Sequence, residues 1–270
     1  MTLTKLFGKN YKWWYFLVFS MTRITKFKLT IFGYRVGEII QAISIILVWQ
    51  ANTLAKPTSE INGIMTYFII GYLFMVVTRT YITNSLPSLI ATGKLAQYQM
   101  YPQSMFRLLL TRGVGNSIMT NSLSILTTPI FIIPFWHYVL PVSNGLTSIL
   151  VLIFFLVFSL WMKYMWEMIV SCIAFITPEY QGIVNSSDIV WQVLAGSLIP
   201  FYLLNPNLQF LQYFAPSFTF YHPMQIYLGK YDTNQTILVF LGGLIWCIVL
   251  YILAKIVFKL GLKRNESVGL

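Results

Sequence analysis

Charged residues are scarce along this chain. Asp, Glu, Lys and Arg together make up 9% of its 270 residues, whereas 57% of the residues are hydrophobic. A soluble domain carries about 25% charged residues, so the composition excludes an ordinary water-soluble protein. Several apolar stretches reach the roughly 20 residues that a helix needs to cross about 30 Å of hydrocarbon. The sequence therefore predicts an all-α polytopic membrane protein.

Acidic residues are fewer than basic ones, with 7 Asp and Glu against 18 Lys and Arg, so the formal net charge is +11. A basic balance of this size raises the question of a nucleic-acid partner. The basic residues cluster in segments that flank the apolar spans, and this distribution indicates membrane topology and contact with membrane lipid instead. No nucleic-acid partner is expected.

Groups that carry chemistry are also few. Cys172 and Cys247 lie inside apolar runs without a CxxC pattern, so we expect buried free thiols. His137 and His222 lie far apart, and neither has a second ligand or a nucleophile nearby in the sequence. No phosphate-binding G-x-x-x-x-G-K-[ST] motif occurs, since 92–94 (Thr-Gly-Lys) lacks the rest of it. We expect no catalytic residue, no metal, no cofactor bound by this chain, and no ATPase site.

Six apolar segments predict six transmembrane helices within a single domain over residues 31–270. Their approximate bounds are 31–54, 63–86, 107–135, 146–176, 188–204 and 236–258. Residues 1–30 before them place basic residues on one helical face and apolar and aromatic residues on another, which predicts an amphipathic interfacial helix. This helix is either a generic membrane anchor or a contact for a motor protein. An even number of crossings and the excess of basic residues on one side place both termini in the cytoplasm.

Two segments between spans are unlike the rest. The stretch from Ile90 to Pro102 is short, polar and bounded by Gly and Pro, so it must lie outside the hydrocarbon, on the cytoplasmic side. The stretch from Asn205 to Thr233 is aromatic and apolar but is broken by three prolines. Non-helical backbone at membrane depth persists only where protein or water satisfies its polar groups. We therefore expect outer re-entrant or interfacial helices between spans five and six.

Three of the charged residues inside the predicted spans, Arg79, Lys163 and Glu167, are placed near the cytoplasmic end by their distance along the helices. Lys163 and Glu167 stand one helical turn apart and are close enough to pair. The pair is either a structural pair that reaches the interface or a device that transmits motion or binds substrate. The midplane is then free of ionisable groups, which weakens the class of ion-coupled secondary carriers.

A polar stripe runs along one face of the third predicted span. It consists of Asn116, Thr120, Ser124 and Thr127. Such side chains can line a pathway for an amphiphilic substrate, or they can hydrogen-bond between membrane helices and so hold the bundle together. The sequence leaves both interpretations open.

The plan of the chain resembles the membrane subunits of ABC-2-type transporters over nearly its whole length. Two motifs carry the resemblance. One is a G-x-L-(x)6-P element in the cytoplasmic stretch 90–102, called the inner loop below, and the other is an outer stretch with several prolines that begins at Gly196, called the Pro-rich segment below. The matching residues are Gly93, Lys94, Leu95 and Pro102 in the first, and Gly196, Pro200, Pro206, Pro216, Tyr221 and Pro223 in the second. The chain departs from the usual pattern at Ala96, Gln99, Tyr101 and Ser217.

The resemblance implies a permease in the cell membrane, built from two halves that often differ. It also implies two copies of a separate cytoplasmic ABC ATPase that bind ATP and Mg²⁺. The inner loop, with Gly93, Lys94, Leu95, Tyr98 and Pro102, would couple to that ATPase. Export of a peptide, antibiotic, lipid or glycan would be the function. The alternatives are an ion-coupled secondary carrier and a membrane-embedded enzyme or assembly factor.

Overall fold

A computed structural model describes residues 18, 28–53, 58–80, 85–100, 104–143, 145–177 and 180–267. The predicted amphipathic helix over residues 1–30 falls almost wholly outside these ranges, and so does Pro102 of the inner loop. Within the described ranges, all regular structure is helical.

The described residues form nine α-helices, of which five have more than 20 residues and four are shorter. They are α1 (Lys28–Thr53), α2 (Thr58–Thr78), α3 (Ser85–Ala91), α4 (Leu95–Gln99), α5 (Met105–Ile132), α6 (Leu146–Ser171), α7 (Tyr180–Leu194), α8 (Tyr221–Tyr227) and α9 (Thr233–Ser267). Short 3-10 helices extend α5 and α6 and fill most of the segment between α7 and α8.

Three helical stretches are long and apolar enough to cross a membrane, judged by length and composition over the described residues. They are Glu60–Thr78, Leu146–Phe175 and Thr233–Arg264, and α1 contains a shorter apolar stretch, Ile39–Ala51. The predicted all-α polytopic membrane architecture is confirmed. The count of six crossings stays a prediction, because α5 carries the polar stripe and α7 has only 15 residues.

The second predicted span ends earlier than the sequence indicates. It was expected to continue to about Leu86, but α2 ends at Thr78. The reason is Asn121 of α5, whose Nδ2 donates to the carbonyl oxygens of Val77 at 2.9 Å and Arg79 at 2.8 Å. These two bonds satisfy carbonyls that a continuing helix would otherwise bond internally, so the chain can leave the helical path here.

The fifth predicted span also ends early, at Leu194 and not near Leu204. Gly196 follows with a φ of 75°, in the left-handed region that glycine adopts at little cost. The amide of Gly196 donates to the carbonyl of Val193 at 3.1 Å, and that of Ser197 donates to the carbonyl of Gln192 at 3.2 Å. These bonds close the helix end and turn the chain out of the helix axis.

The segment after this turn forms short helices, as predicted. Three 3-10 helices, Phe201–Leu203, Pro206–Tyr213 and Ala215–Thr219, lead into α8. The last of them and α8 are buried and pack against α6, while α2 contacts α8 and α9 contacts the Ala215–Thr219 helix. The prolines interrupt α-helix, and packing against the long helices buries the resulting irregular backbone.

Two glycines on the long helices make this packing possible. A Cβ on Gly71 of α2 would lie 2.3 Å from the ring of Phe220, and one on Gly242 of α9 would lie 2.9 Å from the ring of Phe218. Both phenylalanines are buried, and Phe220 also stacks edge-on against Tyr67 with ring centroids 5.4 Å apart. The missing side chains therefore form the notches that receive the aromatic rings.

The two ends of the bundle are distinct. At one end, α3 packs on the 3-10 turn Cys172–Phe175, and a Cβ on Gly261 of α9 would lie 2.3 Å from Phe175. At the other end, the hydroxyl of Tyr227 donates to the carbonyl of Leu140 at 3.0 Å. The inner loop and the Pro-rich segment thus lie at opposite ends of the helices.

The notch on α2 gives a first prediction. Gly71→Ala should lower the stability of the protein by about 1–3 kcal/mol, because the added methyl would overlap the buried ring of Phe220 and force it out of its packing against Tyr67. Gly63→Ala on the same helix is the matched control, since nothing lies within 4 Å of its Cβ position. The measurement is the midpoint of thermal unfolding in mild detergent. Equal midpoints for the two variants would contradict the role given to Gly71.

Candidate functional site

A polar cavity of about 120 Å³ lies among the long helices. α1, α2, α6 and α7 line it, together with residues that follow α2 and with parts of the Pro-rich segment. The charged residues in its wall are Arg79, Lys163, Glu167 and Asp188. The sequence had singled out the first three, and the structure brings all three to one site. Asp188 was missed.

Lys163 is held by α7. Its Nζ lies 2.7 Å from Oδ1 of Asp188 and 5.2 Å from the ring centroid of Trp191, one turn further along α7. The sequence suggested Glu167, one helical turn away on α6, as the partner, whereas the ion pair in the structure is with Asp188 of the neighbouring helix. An acid inside an apolar segment, three residues before a tryptophan, was the signal that could have identified this partner.

Glu167 occupies the buried end of the cavity, with 3% of its surface exposed. Its Oε1 accepts a hydrogen bond from the Thr80 hydroxyl at 2.5 Å. Thr80 and Arg79 directly follow the last residue of α2. The charged wall of the cavity is therefore attached to the joint where the chain leaves α2 for the inner loop.

The Lys163–Asp188 ion pair lies away from the ends of both of its helices. Lys163 lies about 7 Å along the axis from the midpoint of α6, given 1.5 Å per residue, and Asp188 is the ninth residue of the 15-residue α7. Both side chains are thus in the interior of their helices. The Lys163–Asp188 pair is partly open, with the aspartate side chain 43% exposed and the lysine side chain 14% exposed.

The polar stripe on α5 makes bonds within its own helix. The Thr120 hydroxyl donates to the Asn116 carbonyl at 2.8 Å, and the Ser124 hydroxyl donates to the Thr120 carbonyl at 3.2 Å. Thr120 and Ser124 are buried, and the side chain of Thr127 lies outside the described part of the structure. These bonds satisfy the two hydroxyls within the helix, so no bound substrate is needed to satisfy them. A role in lining a pathway stays a prediction.

The inner loop begins with a helix-terminating turn at Gly93. The amide of Gly93 donates to the carbonyl of Ile90 at 3.1 Å, and the amide of Lys94 donates to that of Leu89 at 3.0 Å. Together with a φ of 66° at Gly93, these two bonds form a Schellman motif that ends α3. The glycine of the G-x-L pattern is thus explained by backbone conformation, and it presents Lys94 to solvent.

The remaining loop residues divide into anchors and surface. Leu95 is 3% exposed and belongs to the hydrophobic core, and the Tyr98 hydroxyl accepts a bond from Nη1 of Arg112 at 3.3 Å. Lys94 and Met100 are exposed, Met100 with 84% of its surface. Leu95 and Tyr98 therefore hold the loop to the bundle, and Lys94 and Met100 form its accessible surface.

The Pro-rich segment contains the other motif residues. The carbonyl of Gly196 accepts a bond from the Tyr67 hydroxyl at 2.7 Å, and Tyr221 is 5% exposed beside it. Pro200 precedes the first 3-10 helix, and Pro206 begins the second. Pro216 and Pro223 are buried in the third 3-10 helix and in α8. Each of the six residues thus either sets the backbone path of this segment or is buried within it.

Ser217, where the resembling permeases usually have Phe, is fully buried. Its hydroxyl donates to the carbonyl oxygens of Phe214, at 2.7 Å, and Gln212. A polar side chain fits at this position because it satisfies two backbone groups of the same segment.

The comparison with protein families agrees with this geometry. The family described as ABC-2 family transporter protein matches residues 57–269, which cover both motifs and all four charged residues of the cavity. The chain belongs to this family. No curated protein and no solved structure matches this chain. The chain is thus a multi-pass membrane subunit of an ABC transporter.

His222 stabilises the Pro-rich segment of this ABC-2 permease. Its Nε2 lies 2.8 Å from the carbonyl oxygen of Gln212, which can only accept, so Nε2 carries the proton. Its Nδ1 then accepts from the Tyr231 hydroxyl at 2.8 Å. Burial lowers the pKa of His222 to about 4. The histidine is a neutral structural group that joins three parts of the segment.

The lowered pKa predicts that the permease loses stability in acid. Between pH 6.5 and pH 4 the unfolded chain binds a proton at His222 that the folded chain excludes, so stability falls as the pH drops through this window. We expect the free energy of unfolding to fall by about 2 kcal/mol between pH 7 and pH 5. Thermal unfolding in detergent at each pH measures this loss. His222→Gln should remove most of this slope and His137→Gln should keep it. The same slope in both variants would show that another group is responsible.

Proposed function

We propose that the chain is one permease half of an ATP-driven exporter that moves an amphiphilic substrate out of the cell. Membership of the ABC-2 family supports the transporter class. The observation that carries the mechanism is the position of the joint at Arg79 and Thr80. These residues line the polar cavity, and α3, which leads into the inner loop, begins five residues after Thr80.

Energy for transport would come from other subunits. The chain contains no phosphate-binding loop, so ATP and Mg²⁺ would bind to two copies of a separate cytoplasmic ABC ATPase. A second permease half, either a different chain or another copy of this one, would complete the pathway. The complex would lie in the plasma membrane with the inner loop and both termini of this chain in the cytoplasm, as the distribution of basic residues favours.

The inner loop would transmit the closure of the ATPases. Its exposed Lys94 and Met100 would contact the motor, and its buried Leu95 would carry the displacement into the core. α3 contacts α6 and the 3-10 turn Cys172–Phe175 that follows α6. A push on the loop would therefore reach both the joint after α2 and the inner end of α6, and these two elements supply Thr80 and Glu167 to the cavity.

The ion-coupled carrier is the second candidate, and one observation favours it. Asp188 places a carboxylate inside α7, in the wall of a cavity between long helices, and such carriers use carboxylates within the bundle. The family match favours the ATP-driven class. Transport that follows a proton or sodium gradient and continues after ATP depletion would support the carrier instead.

The exposed surface of the loop gives a prediction about the motor. When the chain is purified in mild detergent together with the products of its neighbouring genes, mass spectrometry should find an ABC ATPase. Met100→Glu should reduce the retained ATPase several-fold, because the new charge must be desolvated in the contact. The folded permease should keep its unfolding temperature, since the residue is 84% exposed.

Asn234→Glu is the control for this experiment. It introduces the same charge at an exposed position at the start of α9, at the opposite end of the bundle from the loop. We expect it to retain the ATPase like the unchanged chain. The absence of any ATPase from the unchanged complex would count against the proposed function, and equal retention by the two variants would count against the loop as the contact.

A further inference from the structure

The cavity combines two positive and two negative side chains with apolar walls. Arg79 and Lys163 balance Glu167 and Asp188, and Met75 and Trp191 are among the apolar residues of the wall. We propose that this cavity binds the zwitterionic headgroup of a lipid-like amphiphile, in which an ammonium and a phosphate are joined by a few atoms. That the bound molecule is the exported cargo rests on the proposed function, whereas the binding itself does not.

The balance of charge selects for a guest without net charge. A charge that is buried away from water costs free energy unless an opposite charge compensates it. The formal charges of the four side chains sum to zero, so a guest with a net charge would leave one charge in the cavity uncompensated. A zwitterion avoids this cost, because its phosphate can bind the Lys163 ammonium while its own ammonium binds the Asp188 carboxylate.

The geometry of the ion pair allows this exchange of partners. Lys163 and Asp188 contact each other at 2.7 Å, but the aspartate side chain is 43% exposed and so can be reached. The ring of Trp191 lies 5.2 Å below the lysine Nζ, where it can also hold the ammonium of a guest. Because each charged side chain gains a new partner when the guest enters, neither is left alone.

The size of the cavity limits the guest to a headgroup. A volume of 120 Å³ corresponds to about four water molecules, at the roughly 30 Å³ that each occupies in the liquid. This suits a group as small as phosphoethanolamine, while a peptide or an oligosaccharide is larger. The rest of the guest must lie outside, and exposed apolar side chains adjoin the lining residues in the sequence: Ile189 and Val193 follow Asp188 and Gln192 on α7, and Ile40 precedes Gln41 on α1. These side chains favour acyl chains over a polar extension.

The test measures binding to the full chain in an uncharged detergent, with no ATPase present. The probe is dihexanoyl phosphatidylethanolamine, and its binding is followed by the rise in unfolding temperature with concentration. Dihexanoyl phosphatidylglycerol has the same tails and a net negative charge. Glycerophosphoethanolamine has the headgroup without tails, and triglycine is a zwitterion of peptide origin.

We expect phosphatidylethanolamine to stabilise the chain saturably and phosphatidylglycerol to need at least tenfold higher concentrations. The double variant Lys163→Gln/Asp188→Asn, which removes both charges together, should weaken phosphatidylethanolamine binding at least tenfold. Lys255→Gln, at an exposed lysine on α9 outside the cavity, should leave it unchanged. Glycerophosphoethanolamine should stabilise the chain more weakly than the lipid, and only when the two cavity charges are present.

Three results would overturn the proposal. Equal stabilisation by the two lipids would show that the tails alone bind, and this comparison on the unchanged chain is decisive even if the double variant does not fold. Unchanged lipid binding by a folded double variant would place the site elsewhere. Stabilisation by triglycine without stabilisation by phosphatidylethanolamine would assign the cavity to peptides. If no ATPase is found in the purified complex, the proposed role of the bound lipid as exported cargo would fail, while the binding site itself would stand.

Discussion

Polar groups inside this protein must find partners within the protein, because the hydrocarbon around the long helices supplies none. The rest of the fold depends on this constraint. Asn121 satisfies the last carbonyls of α2, and Tyr67 satisfies the carbonyl of Gly196 after α7. Where such a partner is available a helix can end inside the bundle, and where none is available it continues. Both α2 and α7 end at a point where such a partner is available.

The same constraint gathers the charged residues. Arg79, Lys163, Glu167 and Asp188 come from three separate parts of the chain, yet all four line one cavity. Since the joint after α2 supplies two residues of the cavity wall, Arg79 and Thr80, and leads into the inner loop, the charged site and the proposed motor contact share one structural element. In an ABC-2 permease this sharing offers a direct route by which a motor could act on a bound substrate.

Composition was sufficient to predict the membrane class, and local pattern was sufficient for the short helices of the Pro-rich segment, because both depend on residues close together in the sequence. The end of α2 was not predictable in this way. No glycine or proline stands between Thr78 and Pro87 to mark a helix end, and the group that stops the helix is Asn121, more than 40 residues away. The partner of Lys163 was missed for the same reason, since Asp188 reaches it only through the packing of α7 on α6. The burial of Leu95 likewise follows from tertiary contacts that a motif does not contain.

Membrane topology tests this account most directly, because the constraint places the inner loop and the Pro-rich segment at opposite ends of the bundle. Single cysteines at Met100 and Tyr213, both highly exposed, can be labelled with a membrane-impermeant maleimide in a chain whose Cys172 and Cys247 are replaced by serine. The account predicts that Tyr213→Cys reacts in intact cells and that Met100→Cys reacts only after the membrane is permeabilised. Labelling of Met100→Cys from outside, or of both positions from the same side, would contradict it.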